Sequence, residues 1–293
     1  MNIAVLGATE SGRAVAGWCA CMGMTVRLYG EDANVVMDSI DAIERQYGVE
    51  ASDTVDGTTG GEAAVSGADF VVDATNEDTA ERRVLLADLE SFIDEDTVVV
   101  IDDRHSTITA VAAGLRRPGR AIGVHVIDTD QPSVIEVIIA EQTTFEARER
   151  TTDFVESVGG TPLIVRDTPG FATTRLDLAT IAEAVRMVED GVASVRDIDR
   201  ALELGRDHPI GPLGLADQLG LDSVLDALEA LALDLGGRFD PPDLLFEKVT
   251  DGDLGRQTGT GFYEWENGER SEPAEPNPTI EARTDTLDAP EDR

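Results

Sequence analysis

The fold of this chain is decided by its first residues, Asn2-Ile3-Ala4-Val5-Leu6-Gly7-Ala8-Thr9-Glu10-Ser11-Gly12. A short apolar run, typical of a buried strand, leads straight into a glycine turn, and the residues after Gly12 have the pattern of a helix. Such a helix offers unpaired N–H groups and the positive end of its dipole to a pyrophosphate. The stretch therefore predicts the phosphate-binding corner of a dinucleotide-binding fold.

The glycine pattern departs at one position from the usual fingerprint, G-x-G-x-x-G. Gly7 and Gly12 stand at the first and third glycine positions, and Thr9 stands at the second. The first glycine allows the tight turn, the second lets the backbone approach the pyrophosphate, and the third allows close packing of the helix. We expect Gly7 and Gly12 to keep the turn and the packing, and Thr9 to push the phosphates outward or to require a modest change of the loop.

Apolar strands alternate with helical segments from Met1 to about Val165. This alternation predicts βαβ units, a mainly parallel doubly wound sheet and a ligand at the carboxyl ends of the strands. The predicted strands are Asn2–Leu6, Thr25–Tyr29, Phe70–Ala74, Thr97–Ile101, Ala121–His125, Ser133–Ile139 and Pro162–Val165. Besides the helix after Gly12, the predicted helices are Asp32–Tyr47, Thr79–Phe92 and Thr144–Val158.

The pattern becomes helical after residue 165, with further helices predicted over Asp197–Leu204 and Leu221–Leu235. From residue 266 the chain is rich in Glu, Asp and Pro and has almost no large apolar side chains, so it cannot bury enough surface to order itself. The sequence therefore predicts an α/β Rossmann domain over residues 1–165, an all-α domain over residues 166–265 and a disordered acidic tail over residues 266–293.

The chain is strongly acidic, with a formal net charge of -36 over 293 residues. Acid spread along the whole chain, with Lys248 as the single lysine beside many arginines, is typical of proteins from salt-loving organisms, in which salt screens the self-repulsion. The charge argues against nucleic acid as a partner, because nucleic-acid binding needs a basic face.

Neither a signal peptide nor a membrane-spanning segment is predicted, since the longest apolar stretches are strand-sized and the N-terminus has no basic region. The two cysteines, Cys19 and Cys21, lie two residues apart on the first predicted helix and so point in different directions, unlike a C-x-x-C redox or zinc pair. We therefore expect a cytoplasmic protein with no membrane partner and no metal site.

Three later stretches narrow the class of protein. The first is Ile122-Gly123-Val124-His125, with Glu136 eleven residues after the histidine. The second is Thr168-Pro169-Gly170-Phe171, and the third is His208-Pro209-Ile210-Gly211-Pro212-Leu213, which is typical of a turn between helices. In this order the stretches make the chain similar to the L-3-hydroxyacyl-CoA dehydrogenase family, over about Met1–Trp265.

This resemblance implies an NAD-dependent oxidoreductase of fatty acid metabolism (β-oxidation) that oxidises the 3-hydroxyl of a 3-hydroxyacyl-CoA, such as 3-hydroxybutyryl-CoA, to the 3-oxo compound. His125 and Glu136 stand where the family has its catalytic histidine and its partner glutamate. An imidazole suits removal of the hydroxyl proton at neutral pH, and a carboxylate on its far nitrogen fixes the tautomer and stabilises the imidazolium. The resemblance also implies a homodimer formed through the helical domain.

Two positions of the implied substrate site depart from the family. The family has a serine in a run like Ser-Asn-Thr-Ser-Ser and an asparagine after Pro-Gly-Phe, both near the oxygens of the substrate. Their counterparts here are Arg104 and Thr174. Threonine still donates one hydrogen bond but lacks the paired donor and acceptor of an amide. Ser106 is the candidate to replace the missing serine if the register of the loop shifts.

Arg104 has two interpretations. Paired with Asp102 or Asp103, it is a structural residue that closes the loop. Turned toward the substrate, it presents a planar cation suited to a carboxylate or a phosphate, which predicts a dehydrogenase of a different anionic 3-hydroxy acid. The departures taken together motivate a third hypothesis, a catalytically silent nucleotide-binding protein that keeps the fold.

The resemblance implies NAD as the cofactor. Glu31 stands one residue after the family's acidic position at the end of the second strand, where a carboxylate binds the adenosine ribose. Glu77 and Arg82 match positions that the family uses near the cofactor, although both are also consistent with solvated side chains at an exposed helix start. No arginine cluster follows the second strand, which favours NAD over NADP.

Overall fold

The structure is a computed structural model that describes residues 1–102, 107–126 and 134–274. The chain divides into two compact units: unit 1 is Met1–Ala172, and unit 2 begins at Thr173. The predicted boundary at residue 165 is therefore too early. The residues just after it belong to unit 1 because the Asp167 carboxylate accepts hydrogen bonds from the N–H groups of Ile108 (3.1 Å) and Thr109 (2.7 Å).

One sheet of eight strands forms the centre of unit 1, in the order β3-β2-β1-β4-β5-β6-β7-β8. Every neighbouring pair is parallel except β6 and β7, which are antiparallel. This confirms the mainly parallel Rossmann-type sheet. The strands are β1 Asn2–Leu6, β2 Thr25–Tyr29, β3 Val55–Thr58, β4 Phe70–Asp73, β5 Val98–Ile101, β6 Ala121–Val126, β7 Val134–Ile139 and β8 Thr161–Arg166.

The central strands are buried on both faces. In β1, Ile3 and Val5 join one apolar core, and Ala4 and Leu6 join the core on the opposite face. Successive side chains of a strand point to opposite faces, so a strand covered on both sides reads as a continuous apolar run. The apolar pattern does not predict β3, because this edge strand buries only Val55.

Helices connect the strands of unit 1. They are α1 Glu10–Cys21, α2 Ala33–Tyr47, α3 Val49–Ser52, α4 Gly61–Val65, α5 Thr79–Leu89, α6 Ile108–Ala112 and α7 Phe145–Ser157, with 3₁₀ turns at Glu90–Phe92 and Pro118–Arg120. On α1, Cys19 is buried and Cys21 is exposed, as their spacing predicts. Burial raises the pKa of the Cys19 thiol to about 12, so this cysteine is an inert packing residue.

Unit 2 is helical, as predicted, and adds a hairpin to its helices. The elements are α8 Thr173–Glu189, α9 Val195–Arg206, α10 Pro212–Leu219, α11 Leu221–Leu235, a 3₁₀ turn at Gly237–Phe239, α12 Asp243–Asp251, β9 Tyr263–Glu266 and β10 Glu269–Pro273. Across the described ranges of both units, every helix is too short or too polar to span a membrane.

The hairpin corrects the predicted start of the tail at residue 266. Strand β10 pairs antiparallel with β9, although its composition is polar. Its Arg270 donates to the carboxylates of Asp199 (3.1 Å) and Glu203 (2.7 Å), and its guanidinium lies 4.7 Å from the centre of the Tyr263 ring. Ion pairing therefore orders a segment that composition alone assigns to the tail, and residues 275–293 lie outside the described part of the chain.

Asp217, on α10, has a structural role in unit 2. Its buried carboxylate accepts hydrogen bonds from the backbone N–H groups of Phe262 (2.8 Å) and Tyr263 (2.9 Å) and from Trp265 Nε1 (2.9 Å). Burial raises the pKa of Asp217, and these donors oppose the rise. One carboxylate on α10 thus fixes the strand that begins the hairpin.

Candidate active site

Six strands of unit 1, β1 to β6, end at one edge of the sheet, which we call the carboxyl edge. Leu6 at the end of β1 pairs with Asp73 at the end of β4, and Asp73 pairs with Ile101 at the end of β5. β6 continues past Gly123, the partner of Ile101, to His125 and Val126. In open α/β sheets, ligands bind just outside this edge.

The phosphate loop, residues 7–12, needs glycine at its first and last positions. Gly7 has a φ of +107°, a region that side chains disfavour, and its N–H donates to the Tyr29 carbonyl at 3.0 Å. A Cβ atom on Gly12 would lie 1.9 Å from the Gly7 carbonyl oxygen. The turn and the close packing of α1 therefore exclude other residues at both positions.

Thr9, at the middle glycine position, is the N-cap of α1. Its hydroxyl accepts a hydrogen bond from the Gly12 N–H (3.0 Å) and donates one to the Ala74 carbonyl (2.8 Å), just beyond β4. The hydroxyl therefore points at the helix and the sheet, and it ties the phosphate loop to both. A residue that the glycine pattern marks as a departure thus provides a cap that glycine lacks.

Thr9→Ala is expected to lower the free energy of unfolding by about 1–2 kcal/mol, because the N-cap bond is lost and the Ala74 carbonyl loses its donor. Thr9→Ser keeps the hydroxyl, and we expect it to change the free energy by less than about 0.5 kcal/mol. Urea unfolding of both variants at one fixed KCl concentration measures the difference. Equal losses would contradict the role of the hydroxyl.

Arg82 is buried, which corrects the expectation of an exposed helix start. Its side chain on α5 is 2% exposed, and its Nε donates to the Asp73 carboxylate at 2.7 Å. Its Nη2 donates to the main-chain carbonyls of Asp73 (3.1 Å) and Asp102 (3.2 Å). The guanidinium thereby joins the ends of β4 and β5 at the carboxyl edge, and a contact between Arg82 and the cofactor stays a prediction.

Glu77, in contrast, is exposed and lies near other carboxylates. A hydrogen bond with the Glu81 side chain and the negative charge of Glu81 raise the pKa of Glu77, and the charge of Glu31 adds to the rise. Glu31 lies two residues after β2, and Glu77 follows β4. Both residues are therefore at the carboxyl edge, on either side of β1, and their contacts with the cofactor stay predictions.

His125 and Glu136 lie directly opposite each other on the antiparallel strands β6 and β7. Residues in such a position have Cβ atoms about 4.5–5.5 Å apart and point to the same face of the sheet. His125 is 7% exposed and Glu136 is 0% exposed. A buried imidazole beside a buried carboxylate is suited to work as a base with its orienting group.

Two residues to which the sequence analysis assigns no role adjoin this pair. The N–H of Ala172 donates to Glu136 Oε1 at 2.9 Å, and the Phe171 ring lies 6.1 Å from the His125 ring, measured between centroids. Phe171 has a φ of +46°, which is uncommon for a residue other than glycine. The sequence signal was the Pro-Gly-Phe motif, which predicts a turn but not its contacts with β6 and β7.

The implied substrate residues are placed only in part. Arg104 and Ser106 lie outside the described residues. Thr174 lies in the first turn of α8 and is half-buried. The structure therefore brings His125 and Glu136 together at the carboxyl edge, while the roles of the other three residues stay predictions.

The phosphate loop fits the pyrophosphate of a dinucleotide. α1 begins at Glu10, so the N–H groups of Glu10 and Ser11 have no acceptor within the helix. Because the Thr9 hydroxyl is bonded to Ala74 and Gly12, it does not take up these two donors. They are available to an anion at the positive end of the helix dipole.

A dinucleotide-type phosphate loop and a histidine–glutamate pair at the same edge of a parallel sheet define a nucleotide-dependent dehydrogenase. The chain belongs to the 3-hydroxyacyl-CoA dehydrogenase family: the family's NAD binding domain matches residues 2–168, and its C-terminal domain matches residues 170–265. The family, the fold class and NAD as the cofactor are thereby confirmed.

Similar proteins cover almost the whole chain. A probable 3-hydroxybutyryl-CoA dehydrogenase of Deinococcus radiodurans is 32% identical in an alignment of 278 residues that covers 90% of this chain and 100% of the relative. Another from Bacillus subtilis is 31% identical and covers 90% of this chain and 97% of the relative. The crystal structure of (S)-3-hydroxybutyryl-CoA dehydrogenase PaaH1 from Ralstonia eutropha has a TM-score of 0.82 at 27% identity, over 91% of this chain and 99% of that one.

Proposed function

We propose that this chain oxidises the 3-hydroxyl of a short 3-hydroxyacyl-CoA with NAD, giving the 3-oxo thioester, NADH and a proton. Two relatives named as 3-hydroxybutyryl-CoA dehydrogenases support the substrate class. The observation that carries the mechanism is the register of β6 and β7, which sets His125 opposite Glu136 at the carboxyl edge.

In this mechanism His125 is the general base, and it removes the proton of the substrate hydroxyl. The phosphate loop, with the N–H groups of Glu10 and Ser11, would hold NAD, which would supply the acceptor for the hydride of the same carbon. The carboxylate of Glu136 orients the imidazole and stabilises the imidazolium that forms. The Ala172 N–H holds one oxygen of that carboxylate in place. By resemblance, Thr174 donates a hydrogen bond to a substrate oxygen, and Arg104 and Ser106 are the other candidates for substrate contact.

The test is NADH formation from 3-hydroxybutyryl-CoA and NAD, with free 3-hydroxybutyrate as the competing substrate class. The assay is carried out in about 1 M KCl. At this concentration the Debye length is about 3 Å, so the salt screens the repulsion that results from the net charge of -36. Turnover of the thioester supports the proposal, and turnover of the free acid alone supports the alternative of another anionic 3-hydroxy acid. NAD binding in calorimetry without turnover of any hydroxyacyl substrate supports the catalytically silent protein.

We also propose that the protein is a homodimer formed through unit 2. The helices of unit 2 expose large apolar side chains to solvent, among them Leu204 (82% exposed) and Leu233 (88% exposed). These exposed side chains support the proposal. Sedimentation equilibrium in high KCl is expected to give about twice the chain mass of 31.3 kDa. Leu204→Glu and Leu233→Glu introduce charges and are expected to shift the mass toward the monomer, whereas a monomeric wild type at every concentration contradicts the proposal.

A further inference from the structure

Ser11 and Asp102 join the phosphate loop to the end of β5. The Ser11 hydroxyl donates a hydrogen bond to Oδ2 of Asp102. The main chain of Asp102 is fixed as well, because its N–H donates to the Asp73 carbonyl (3.0 Å) and its carbonyl accepts from Arg82 Nη2 (3.2 Å). The Asp102 carboxylate is therefore held at the first turn of α1.

The proposed function places the pyrophosphate of NAD at this same turn. The N–H of Ser11 is one of the donors available to the pyrophosphate, and the hydroxyl of the same residue binds Asp102. The Asp102 carboxylate and the pyrophosphate thus lie next to each other at the N-terminus of α1. Both are negatively charged, and both are attracted to the positive end of the helix dipole. A serine hydroxyl is a neutral donor, so it holds the carboxylate without cancelling its charge.

We propose that Asp102 sets the affinity of this protein for NAD, because its carboxylate repels the pyrophosphate and dissolved salt weakens the repulsion. This inference rests on the proposed function, since it takes NAD as the ligand of the phosphate loop. Asp102 is then the residue that makes the affinity for NAD depend on ionic strength. The Debye length falls from about 10 Å at 0.1 M salt to about 3 Å at 1 M, which is short enough to screen neighbouring charges.

Asp102→Asn separates the charge from the hydrogen bond, because the amide oxygen still accepts from the Ser11 hydroxyl. At about 0.1 M KCl the Kd of the variant for NAD is expected to be roughly tenfold lower than that of the wild type. The reason is that the substitution removes the repulsion between the Asp102 carboxylate and the negatively charged pyrophosphate. Near 1 M KCl the wild type and the variant are expected to differ by about twofold or less. Calorimetric titrations with NAD and with ADP-ribose, which has the pyrophosphate but no nicotinamide, measure both values.

Two further variants serve as controls. Ser11→Ala removes the hydroxyl and keeps the carboxylate, so it is expected not to tighten NAD binding. Asp88→Asn removes the same unit of charge at an exposed position in the last turn of α5, away from the carboxyl edge. It is expected to leave the Kd unchanged within about twofold. Circular dichroism verifies folding at each KCl concentration, and the lowest concentration used is one at which all variants are folded.

The outcomes separate this inference from the function on which it rests. Equal Kd values for the wild type and Asp102→Asn at low salt would overturn the inference, and so would equal tightening by Asp88→Asn or Ser11→Ala. Weaker NAD binding with unchanged ADP-ribose binding would place the carboxylate at the nicotinamide and overturn it too. If no folded variant bound NAD at any salt concentration, the proposed function itself would be contradicted.

Discussion

His125→Asn is expected to lower kcat for NADH formation from 3-hydroxybutyryl-CoA by about 10²–10⁴-fold, the usual contribution of a positioned general base. Asparagine fills much of the same space and is polar, but it cannot accept the hydroxyl proton. NAD affinity is expected to stay within about twofold, because the phosphate loop is unchanged. Steady-state kinetics in high KCl, with calorimetry for NAD, separate the two effects.

Glu136→Gln tests the second member of the pair. Glutamine keeps an acceptor for the Ala172 N–H, whose bond to Glu136 Oε1 is 2.9 Å long, and it removes the negative charge beside the imidazole. Without that charge the imidazolium is less stable, so the acid limb of the pH profile for kcat/KM is expected to move to lower pH while the maximal rate falls. A residue with a purely structural role would lower stability without moving this limb.

The matched control for these variants is His208→Asn. His208 is exposed and lies between α9 and α10 in unit 2, and the sequence pattern there is that of a turn. The same substitution at this position is expected to leave kcat and KM unchanged. If the His125→Asn enzyme kept more than about a tenth of the wild-type kcat, His125 would be excluded as the base, whatever activity Glu136→Gln showed.

The central strands of unit 1 were predictable because their residues are buried on both faces. Strands that bury little apolar surface were not predictable: β3 buries only Val55, and β10 is ordered by the ion pairs of Arg270 with Asp199 and Glu203. Composition indicates how much apolar surface a segment can bury. It does not show whether a charged side chain of that segment will form ion pairs with two carboxylates.

The candidate site, too, was predictable from the sequence only in part. The spacing of His125 and Glu136, with the family resemblance, was enough to pair them, because an antiparallel register then sets them opposite each other. The glycine pattern marked Thr9 as a loss, whereas the fold uses its hydroxyl to cap α1. The left-handed backbone of Phe171 and its ring next to His125 depend on how the turn folds back, which no local pattern encodes.

Arg82→Met is expected to lower the free energy of unfolding by about 3–5 kcal/mol, the cost of leaving a buried charge without its partner. Methionine replaces the apolar stem of the arginine, but it supplies none of the donors that hold the Asp73 carboxylate and the carbonyls of Asp73 and Asp102. Asp73 is 0% exposed, so water cannot take over as a donor without opening the carboxyl edge. Denaturant unfolding at fixed KCl measures the loss.

A double variant distinguishes the charge of Asp73 from the packing of the arginine. Asp73→Asn combined with Arg82→Met removes both charges, while the amide oxygen still accepts from the Thr75 hydroxyl, which donates to Asp73 Oδ1 at 2.8 Å in the wild type. The double variant is therefore expected to be more stable than Arg82→Met alone, with a coupling free energy of about 1 kcal/mol or more. Arg45→Met, an exposed arginine in the last turn of α2, is the matched control and is expected to change stability by less than about 0.5 kcal/mol. If Arg82→Met and Arg45→Met lost the same amount, the guanidinium would not be what joins the ends of β4 and β5, and Arg82 would remain only a candidate for cofactor contact.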